Sequence, residues 1–373
     1  MGRILLYGDS YRTPNLYYVT RFLAPDPMFY FAGEGEPVLA VSSMERSRAE
    51  KESRVQDVRS FDDLGYKDEY QRSGDTMSAI ATAISNLIPD PIEEPIAVEP
   101  AFPALLADIL RQRGMKIEPT PALLVNERRK KSDDEISSLA DAQARAEQAV
   151  SEAISIIAEA EVSGDNLIFR GVPLTSERLR GHLDVSFARD GYVAESSIIA
   201  SGPGSSDPHW IGSGLIKSHQ PIILDIFPQN QATRYHGDVT RTVFKGEPPE
   251  ELTVMYQAVL KAQGVALGMI RPGANGRDIT EALHQSLAED GFGEAGPKTA
   301  RLTHGVGHGL GLEIHEEPRI GRVDYELHEG DVVTVEPGLY DPSIGGVRIE
   351  DVVVVTAEGI RNLNRLPKEL TVL

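Results

Sequence analysis

The feature that most restricts how this chain can fold is a set of carboxylates inside otherwise apolar, strand-like runs of its second half. These acids interrupt the runs IILDIF, DVTRTVF, VVTVE and GVRIEDVVVV, and they are Asp225, Asp238, Glu336 and Glu350. An ionised carboxylate in an apolar setting is costly unless it is paired or coordinates a metal. A single acid at a strand end is usually solvated. Four such interruptions together predict that the strands converge on a shared positive charge.

A glycine-rich stretch, HGVGHGLGLEIHEEPR at residues 304–319, supplies three histidines. His304 and His308 have the spacing of a zinc-protease helix, but Gly305 replaces the glutamate that such a motif needs after its first histidine. Glycine also costs about 1 kcal/mol relative to alanine in a helix interior, and it occupies every second position from 305 to 311. The stretch is therefore predicted to be extended or looped.

Charge counting predicts what the acids surround. Four carboxylates and one neutral imidazole carry a charge of −4, which two divalent cations would offset. Oxygen ligands with one nitrogen suit manganese, cobalt, iron or zinc, and carboxylates favour the harder ions. Two such ions about 3.5–4 Å apart acidify a water and polarise a carbonyl group. The residues thus predict a hydrolase.

Two domains are predicted, with the boundary just before a long helix. SDDE at 132–135 is a capping box with Ser132 as N-cap and Glu135 at N3, and residues 136–160 contain no glycine or proline. Residues 1–128 alternate apolar runs with helical patterns at 75–88 and 103–113, which predicts a small α/β domain. Residues 129–373 predict an α+β domain, with helices near 175–190, 249–269 and 276–290 and strands at 193–200, 221–227, 238–244, 331–336 and 347–355.

Composition excludes several classes of protein. The chain has no cysteine, so a disulfide framework and a thiolate nucleophile are excluded. The net charge of −20, from 37 basic and 57 acidic residues, opposes nucleic acid and anionic lipid partners. No apolar run is long enough for a signal peptide or a membrane span. We therefore expect a cytoplasmic protein without a membrane or nucleic-acid partner.

Taken in order, these motifs resemble those of the pita-bread metallopeptidases of family M24, which include methionine aminopeptidase, aminopeptidase P and prolidase (Xaa-Pro dipeptidase). The matching fragments are the aspartate of IILDIF, GDVTRT, GHGLG, VEPGLY and RIED. The resemblance implies five metal ligands, namely Asp225, Asp238, His308, Glu336 and Glu350. They would hold two divalent ions, with Mn²⁺ favoured and Co²⁺ or Zn²⁺ as alternatives. It also implies an α+β pita-bread catalytic domain over 129–373 and a creatinase-like N-terminal domain over 1–128.

The spacing of the two aspartates departs from the family pattern. Family members usually separate them by eleven residues, whereas here the separation is 238 − 225 = 13, and His236 occupies the eleventh position. A two-residue insertion within PQNQATR keeps Asp238 as the ligand, because YHGDVTRT retains the motif that follows. His236 as the ligand is the alternative.

The resemblance also implies catalytic and substrate-binding roles by position. Glu336 would be the general base that takes a proton from the attacking water, and His304 and His315 would bind the substrate carbonyl and stabilise the tetrahedral intermediate. Substrate-binding or supporting positions are His209, His304, His315, Tyr340 and Arg348. The other histidines, apart from His236, match no motif and are predicted to be structural or at the surface; they are His182, His219, His284 and His328.

Arg319 bears on the choice between prolidase and aminopeptidase P within this family. It stands four residues after His315, where some prolidases hold the carboxylate of a dipeptide, and a guanidinium fork suits a carboxylate. We therefore expect an Xaa-Pro dipeptidase. The alternative reading of Arg319 is an ordinary surface arginine beside Glu316 and Glu317. Aminopeptidase P is then the alternative, followed by a small-amide hydrolase and a non-catalytic binding protein of the same fold. The resemblance implies a homodimer.

Overall fold

The computed structural model describes residues 2–88 and 94–373. It comprises two compact units, Met1–Arg128 and Arg129–Leu373. No helix in the described ranges combines the length and the apolar content needed to cross a membrane.

The first unit is built on a six-stranded mixed sheet in the order β4-β3-β2-β1-β5-β6. Its strands are β1 (Arg3–Gly8), β2 (Met28–Ala32), β3 (Val38–Val41), β4 (Asp57–Ser60), β5 (Ile96–Val98) and β6 (Ile117–Pro119). Its helices are α1 (Pro14–Thr20), α2 (Arg46–Glu52), α3 (Tyr66–Ser73), α4 (Thr76–Leu87), α5 (Ala104–Gln112) and α6 (Val125–Arg129), the last of which ends at the unit boundary. The predicted helices at 75–88 and 103–113 are α4 and α5, so both predictions are confirmed.

The second unit opens with the long helix α7 (Asp133–Glu159). Its first turn has the predicted capping box, in which the Ser132 side chain accepts from the Glu135 backbone and the Glu135 side chain accepts from the Ser132 backbone. This arrangement satisfies two backbone donors that a helix start would otherwise leave unpaired. The buried face of α7 includes four fully buried alanines, Ala142, Ala146, Ala149 and Ala153, so the strands beneath can pack close to the helix axis there.

Three further helices and sixteen short strands complete the described part of this unit. The helices are α8 (Ser176–Arg189), α9 (Glu250–Met269) and α10 (Gly276–Glu289). The strands are β7 (Glu161–Ser163), β8 (Asn166–Phe169), β9 (Val172–Pro173), β10 (Tyr192–Val193), β11 (Ile198–Ser201), β12 (Pro221–Ile226), β13 (Gln229–Asn230), β14 (Val239–Phe244), β15 (Gly307–Gly309), β16 (Glu316–Ile320), β17 (Val332–Val335), β18 (Gly338–Asp341), β19 (Gly345–Arg348), β20 (Asp351–Thr356), β21 (Gly359–Asn362) and β22 (Thr371–Val372).

Two sheets carry the acids and histidines singled out above. One has the order β11-β12-β14-β22 and the other the order β16-β15-β17-β20-β21, while β18 and β19 form a separate ribbon. The predicted helices and the strands at 221–227, 238–244 and 331–336 are confirmed within one or two residues. The single strand predicted at 347–355 is wrong: β19 pairs with β18 and β20 pairs with β17, so the chain changes partners at Ile349 and Glu350. The run at 193–200 is likewise divided between β10 and β11.

Candidate active site

The four carboxylates lie at or beside the ends of strands in the second unit. Asp225 is in β12 opposite Thr240 of β14, and Asp238 directly precedes β14. Glu336 follows β17, and Glu350 lies between β19 and β20. The backbone N–H of Glu350 donates to the carbonyl of Thr240 (3.1 Å), which joins the two groups of strands. The strands therefore bring Asp225, Asp238 and Glu350 together around β14, as predicted.

His308 enters this group because the glycines beside it allow close strand contacts. A Cβ atom at Gly307 would collide with the carbonyl oxygen of Thr334, and one at Gly309 would collide with that of Glu317. His308 lies in β15 and places Nε2 at 3.5 Å from Glu336 Oε1 and 3.8 Å from Asp238 Oδ2. The glycine-rich stretch is thus a short strand with flanking loops, as predicted.

One cluster among the described residues has the spacing of a metal-binding group. Asp238, His308 and Glu350 each offer a ligand atom, and these atoms lie within 4.8 Å of one another. His236 is not a member of this cluster. Asp238 Oδ2 lies 3.8 Å from His308 Nε2, so the structure places Asp238, not His236, in the cluster with His308.

The electrostatics of the cluster call for added positive charge. Burial, with the charges of Glu350 and Asp225, raises the pKa of Asp238, and burial with the charge of Glu336 raises the pKa of Glu350. Burial raises the pKa of Glu336 to about 8. In the described part of the chain, no lysine or arginine forms an ion pair with any of these three acids. Buried carboxylates so close together are stable as anions only beside cations.

The tautomer of His308 gives a second test of whether a metal fits. Its Nδ1 contacts the carbonyl oxygen of Gly309 (3.1 Å), which can only accept, so Nδ1 carries the proton. Nε2 then presents its lone pair towards the oxygens of Asp238 and Glu336. Burial lowers the pKa of His308 to about 3, so the ring is neutral at pH 7. Lone pairs that face one another across 3.5–3.8 Å suit a divalent cation between them.

Arg348, Tyr340 and His304 form a hydrogen-bonded chain along one side of the cluster. Arg348 donates from Nη2 to Asp225 Oδ2 (2.5 Å) and from Nη1 to the hydroxyl oxygen of Tyr340 (2.9 Å). His304 Nδ1 donates to the carbonyl of Gly305 (2.7 Å), so its Nε2 accepts from the Tyr340 hydroxyl (2.7 Å). Burial raises the pKa of Tyr340 to about 12 and lowers that of His304 to about 4, which keeps both groups neutral. The chain fixes the orientation of the His304 ring.

The remaining predicted residues line a cavity of about 770 Å³ that also contains the cluster. His315 contacts His308 edge to face, with ring centroids 4.4 Å apart, and its ring makes no hydrogen bond among the described residues. His209 lies on the cavity wall. Arg319 is opposite His308 on the neighbouring strand β16, but its side chain is 69% exposed and pairs only loosely with Glu317 (3.5 Å). The histidines predicted to be structural, His182, His219, His284 and His328, do not line this cavity.

Sequence reasoning missed two residues that hold the cluster. The Thr240 hydroxyl donates to Glu350 Oε2 (2.8 Å) and accepts from Arg348 Nε (3.3 Å). Gln143 of α7 is fully buried, and its amide makes two hydrogen bonds to the backbone of Asp238 (2.7 and 2.8 Å). A glutamine on the alanine-rich face of a predicted helix was the available signal for Gln143, whereas nothing in the sequence distinguishes Thr240 from Thr242.

Comparison with known proteins gives a family match and similar solved structures. A model described as metallopeptidase family M24 matches residues 137–357. The uncharacterized peptidase YqhT of Bacillus subtilis is 37% identical over 232 residues, which cover 60% of this chain and 64% of that protein. An Xaa-Pro dipeptidase of Pyrococcus horikoshii is 38% identical over 179 residues, covering 48% of this chain and 49% of that protein. These two alignments span less than two thirds of the relatives' length. The crystal structure of the prolidase from Pyrococcus horikoshii OT3 superposes with a TM-score of 0.79 at 28% identity, covering 99% of this chain and 95% of that one.

Proposed function

Because the chain belongs to metallopeptidase family M24, we propose that it hydrolyses the bond before proline in Xaa-Pro dipeptides with the help of two divalent cations. The match and the structural likeness confirm the predicted α+β pita-bread fold and the prediction of a metallopeptidase. We assign the catalytic domain to residues 129–373 and a creatinase-like domain to residues 1–128. The observation that carries the proposal is the cluster of Asp238, His308 and Glu350 in a cavity that also contains His304 and His315.

The proposed ligands are the cluster residues together with Asp225 and Glu336, and Mn²⁺ suits their oxygen-rich composition best, with Co²⁺ or Zn²⁺ as alternatives. When bound, two such ions would acidify a water and polarise the scissile carbonyl group. The number and identity of the ions are part of the proposal. The family is metal-dependent, and the donor set supports a divalent ion at this place.

Each side chain around the proposed metal site has its own role in the reaction. Glu336 accepts the proton of the attacking water and delivers it to the imino nitrogen of the leaving proline, because its carboxylate lies beside His308 in the proposed ligand set, where that water would bind. His315 donates to the carbonyl oxygen, which gains negative charge in the transition state. His209 on the wall binds the substrate backbone, and the ring of His304, held by Tyr340 and Gly305, lines the cavity beside it. Replacing Glu336 with glutamine should abolish turnover; activity within about tenfold of the parent would exclude this role.

The choice of a dipeptidase rests on Arg319. Its position opposite His308 allows the guanidinium group to reach a carboxylate in the cavity. A pocket built around that contact would reject longer peptides, in which the carboxylate is farther away. The second candidate is aminopeptidase P, which the 69% exposure of the Arg319 side chain favours, since no carboxylate clamp is preformed.

Initial rates on Ala-Pro and Ala-Pro-Ala decide between the two candidates. The Mn²⁺-loaded protein should cleave the dipeptide only, and Arg319→Ala should lose that activity. The control is Arg322→Ala, which removes an exposed arginine three residues further along the same segment. Cleavage of the tripeptide would favour aminopeptidase P. Equal losses of activity in Arg319→Ala and Arg322→Ala would indicate that the effect comes from the net charge of the cavity rim. A cytoplasmic location, a homodimer and the lack of nucleic-acid partners stay predictions from the sequence.

A further inference from the structure

Two buried polar pairs, Lys131 with Glu316 and Tyr235 with Glu135, have no part in the proposed chemistry. We call these four residues the Lys131 cluster. Lys131 Nζ contacts Glu316 Oε1 at 2.7 Å, and the two side chains are only 2% and 8% exposed. The Tyr235 hydroxyl donates to Glu135 Oε1 (2.5 Å), and Glu135 is the capping-box residue of α7. A buried ion pair adds little stability compared with apolar packing, so its presence calls for another reason.

The position of Glu316 suggests that reason. Glu316 follows His315 in the chain and begins β16, the strand that also carries Arg319. Its carboxylate packs on Gly311, where a Cβ atom would come closer than 3.0 Å to it. The carbonyl of Gly311 in turn accepts from the backbone N–H of His236 (3.0 Å). The segment from Gly311 to Glu316 carries His315, which lines the cavity. His236 contacts the first residue of this segment and Lys131 contacts the last, so both of its ends are fixed.

The same contacts involve the residues that follow the lengthened stretch between the two aspartates. Tyr235 and His236 come directly after PQNQATR, the stretch that contains the two-residue insertion between Asp225 and Asp238. Tyr235 contacts Glu135 of α7, and His236 contacts Gly311. Tyr235 and His236 therefore bridge the first turn of α7 and the loop that carries His315.

We propose that Lys131 and Glu316 are positioning residues for substrate binding. Together with the Tyr235–His236 segment, they hold His315 edge to face against His308, in the orientation that receives the substrate carbonyl. This inference rests on the proposed function for its kinetic consequence. Its structural consequence, a fixed His315 ring, can be measured without any substrate.

Three variants and one matched control test the proposal. Lys131→Met removes the ammonium group that contacts Glu316, and Lys131→Arg restores a positive charge there. Tyr235→Phe removes a single hydroxyl and keeps the test open if Lys131→Met does not fold. The control is Tyr256→Phe, which removes another buried tyrosine hydroxyl, bonded to the carbonyl of Lys368 (2.9 Å) at a distance in sequence from this cluster.

Three quantities are measured on the full chain: the imidazole ¹H–¹³C resonance of His315 in the Zn²⁺-loaded protein, kcat and KM on Ala-Pro, and the affinity for Mn²⁺. We expect the His315 resonance to move by more than its line width in Lys131→Met and Tyr235→Phe. KM should rise about tenfold in Lys131→Met, with kcat and Mn²⁺ affinity within about threefold of the parent. Lys131→Arg should recover most of the KM loss.

Three results would overturn the proposal. The first is a His315 resonance and a KM that are unchanged in both Lys131→Met and Tyr235→Phe. The second is an equal change in Tyr256→Phe, which would reveal general loosening of the unit. The third is a loss of Mn²⁺ affinity with KM unchanged, which would make the cluster a support of the metal site. If the parent cleaves no Xaa-Pro peptide, the proposed function fails, while the His315 resonance still decides whether the cluster positions that ring.

Discussion

Thr240→Val should weaken metal binding although it changes no proposed ligand. The substitution keeps the shape of a fully buried side chain and removes the hydroxyl that donates to Glu350 Oε2 (2.8 Å). That hydrogen bond lowers the pKa of Glu350, which burial raises, so its loss favours the protonated carboxyl group that cannot bind a cation. A hydrogen bond to a charged group contributes about 1.5–3 kcal/mol, which corresponds to a dissociation constant raised about 10- to 150-fold.

The assay is Mn²⁺ titration calorimetry at pH 7, with Thr242→Val as the control. Thr242 lies two residues along the same strand and is also fully buried, but its hydroxyl bonds only to the backbone of Arg348 (3.0 Å). The control should bind Mn²⁺ within about threefold of the parent. An affinity within threefold in Thr240→Val, or an equal loss in Thr242→Val, would show that the hydroxyl on Glu350 does not tune this site.

Three further predictions concern the ligand set and the surrounding core. Asp238→Asn should remove most Mn²⁺ binding and His236→Gln should retain it, as measured by calorimetry; the reverse pattern would restore His236 as a ligand. Gln143→Leu should lower the free energy of unfolding of the metal-free protein by about 2–6 kcal/mol in urea titrations, because two buried backbone groups of Asp238 lose their partners; a loss below 1 kcal/mol would contradict this. Between pH 6.5 and 8 the melting temperature of the metal-free protein should fall as pH rises, because the folded pKa of Glu336, about 8, exceeds its ordinary 4.5 and the folded state retains a proton that the unfolded state has lost. The histidines with lowered pKa values change the slope only below their ordinary 6.5. Saturating Mn²⁺ should remove the fall, and a rise in the metal-free protein would refute this account.

Local sequence patterns predicted the structure correctly where the interacting residues are close together in the sequence. The capping box at Ser132 and Glu135 requires only a spacing of three residues, and the structure has it as predicted. The helices of the second unit follow from their apolar periodicity in the same way. The break at Ile349 and Glu350 was missed because RIEDVVVV is continuous in β-propensity, and the change of strand partner depends on β17 and β18.

The sequence by itself determined the chemical character of the site. Carboxylates within apolar runs and glycines at alternate positions leave few stable arrangements other than strands that meet around a cation, since burial of unpaired charge is so costly. Which atoms meet was decided only by the tertiary structure. The contact of Thr240 with Glu350 joins residues 110 positions apart, and that of Lys131 with Glu316 joins residues 185 positions apart. No local pattern encodes such pairs, because they arise from the packing of whole strands and helices against one another.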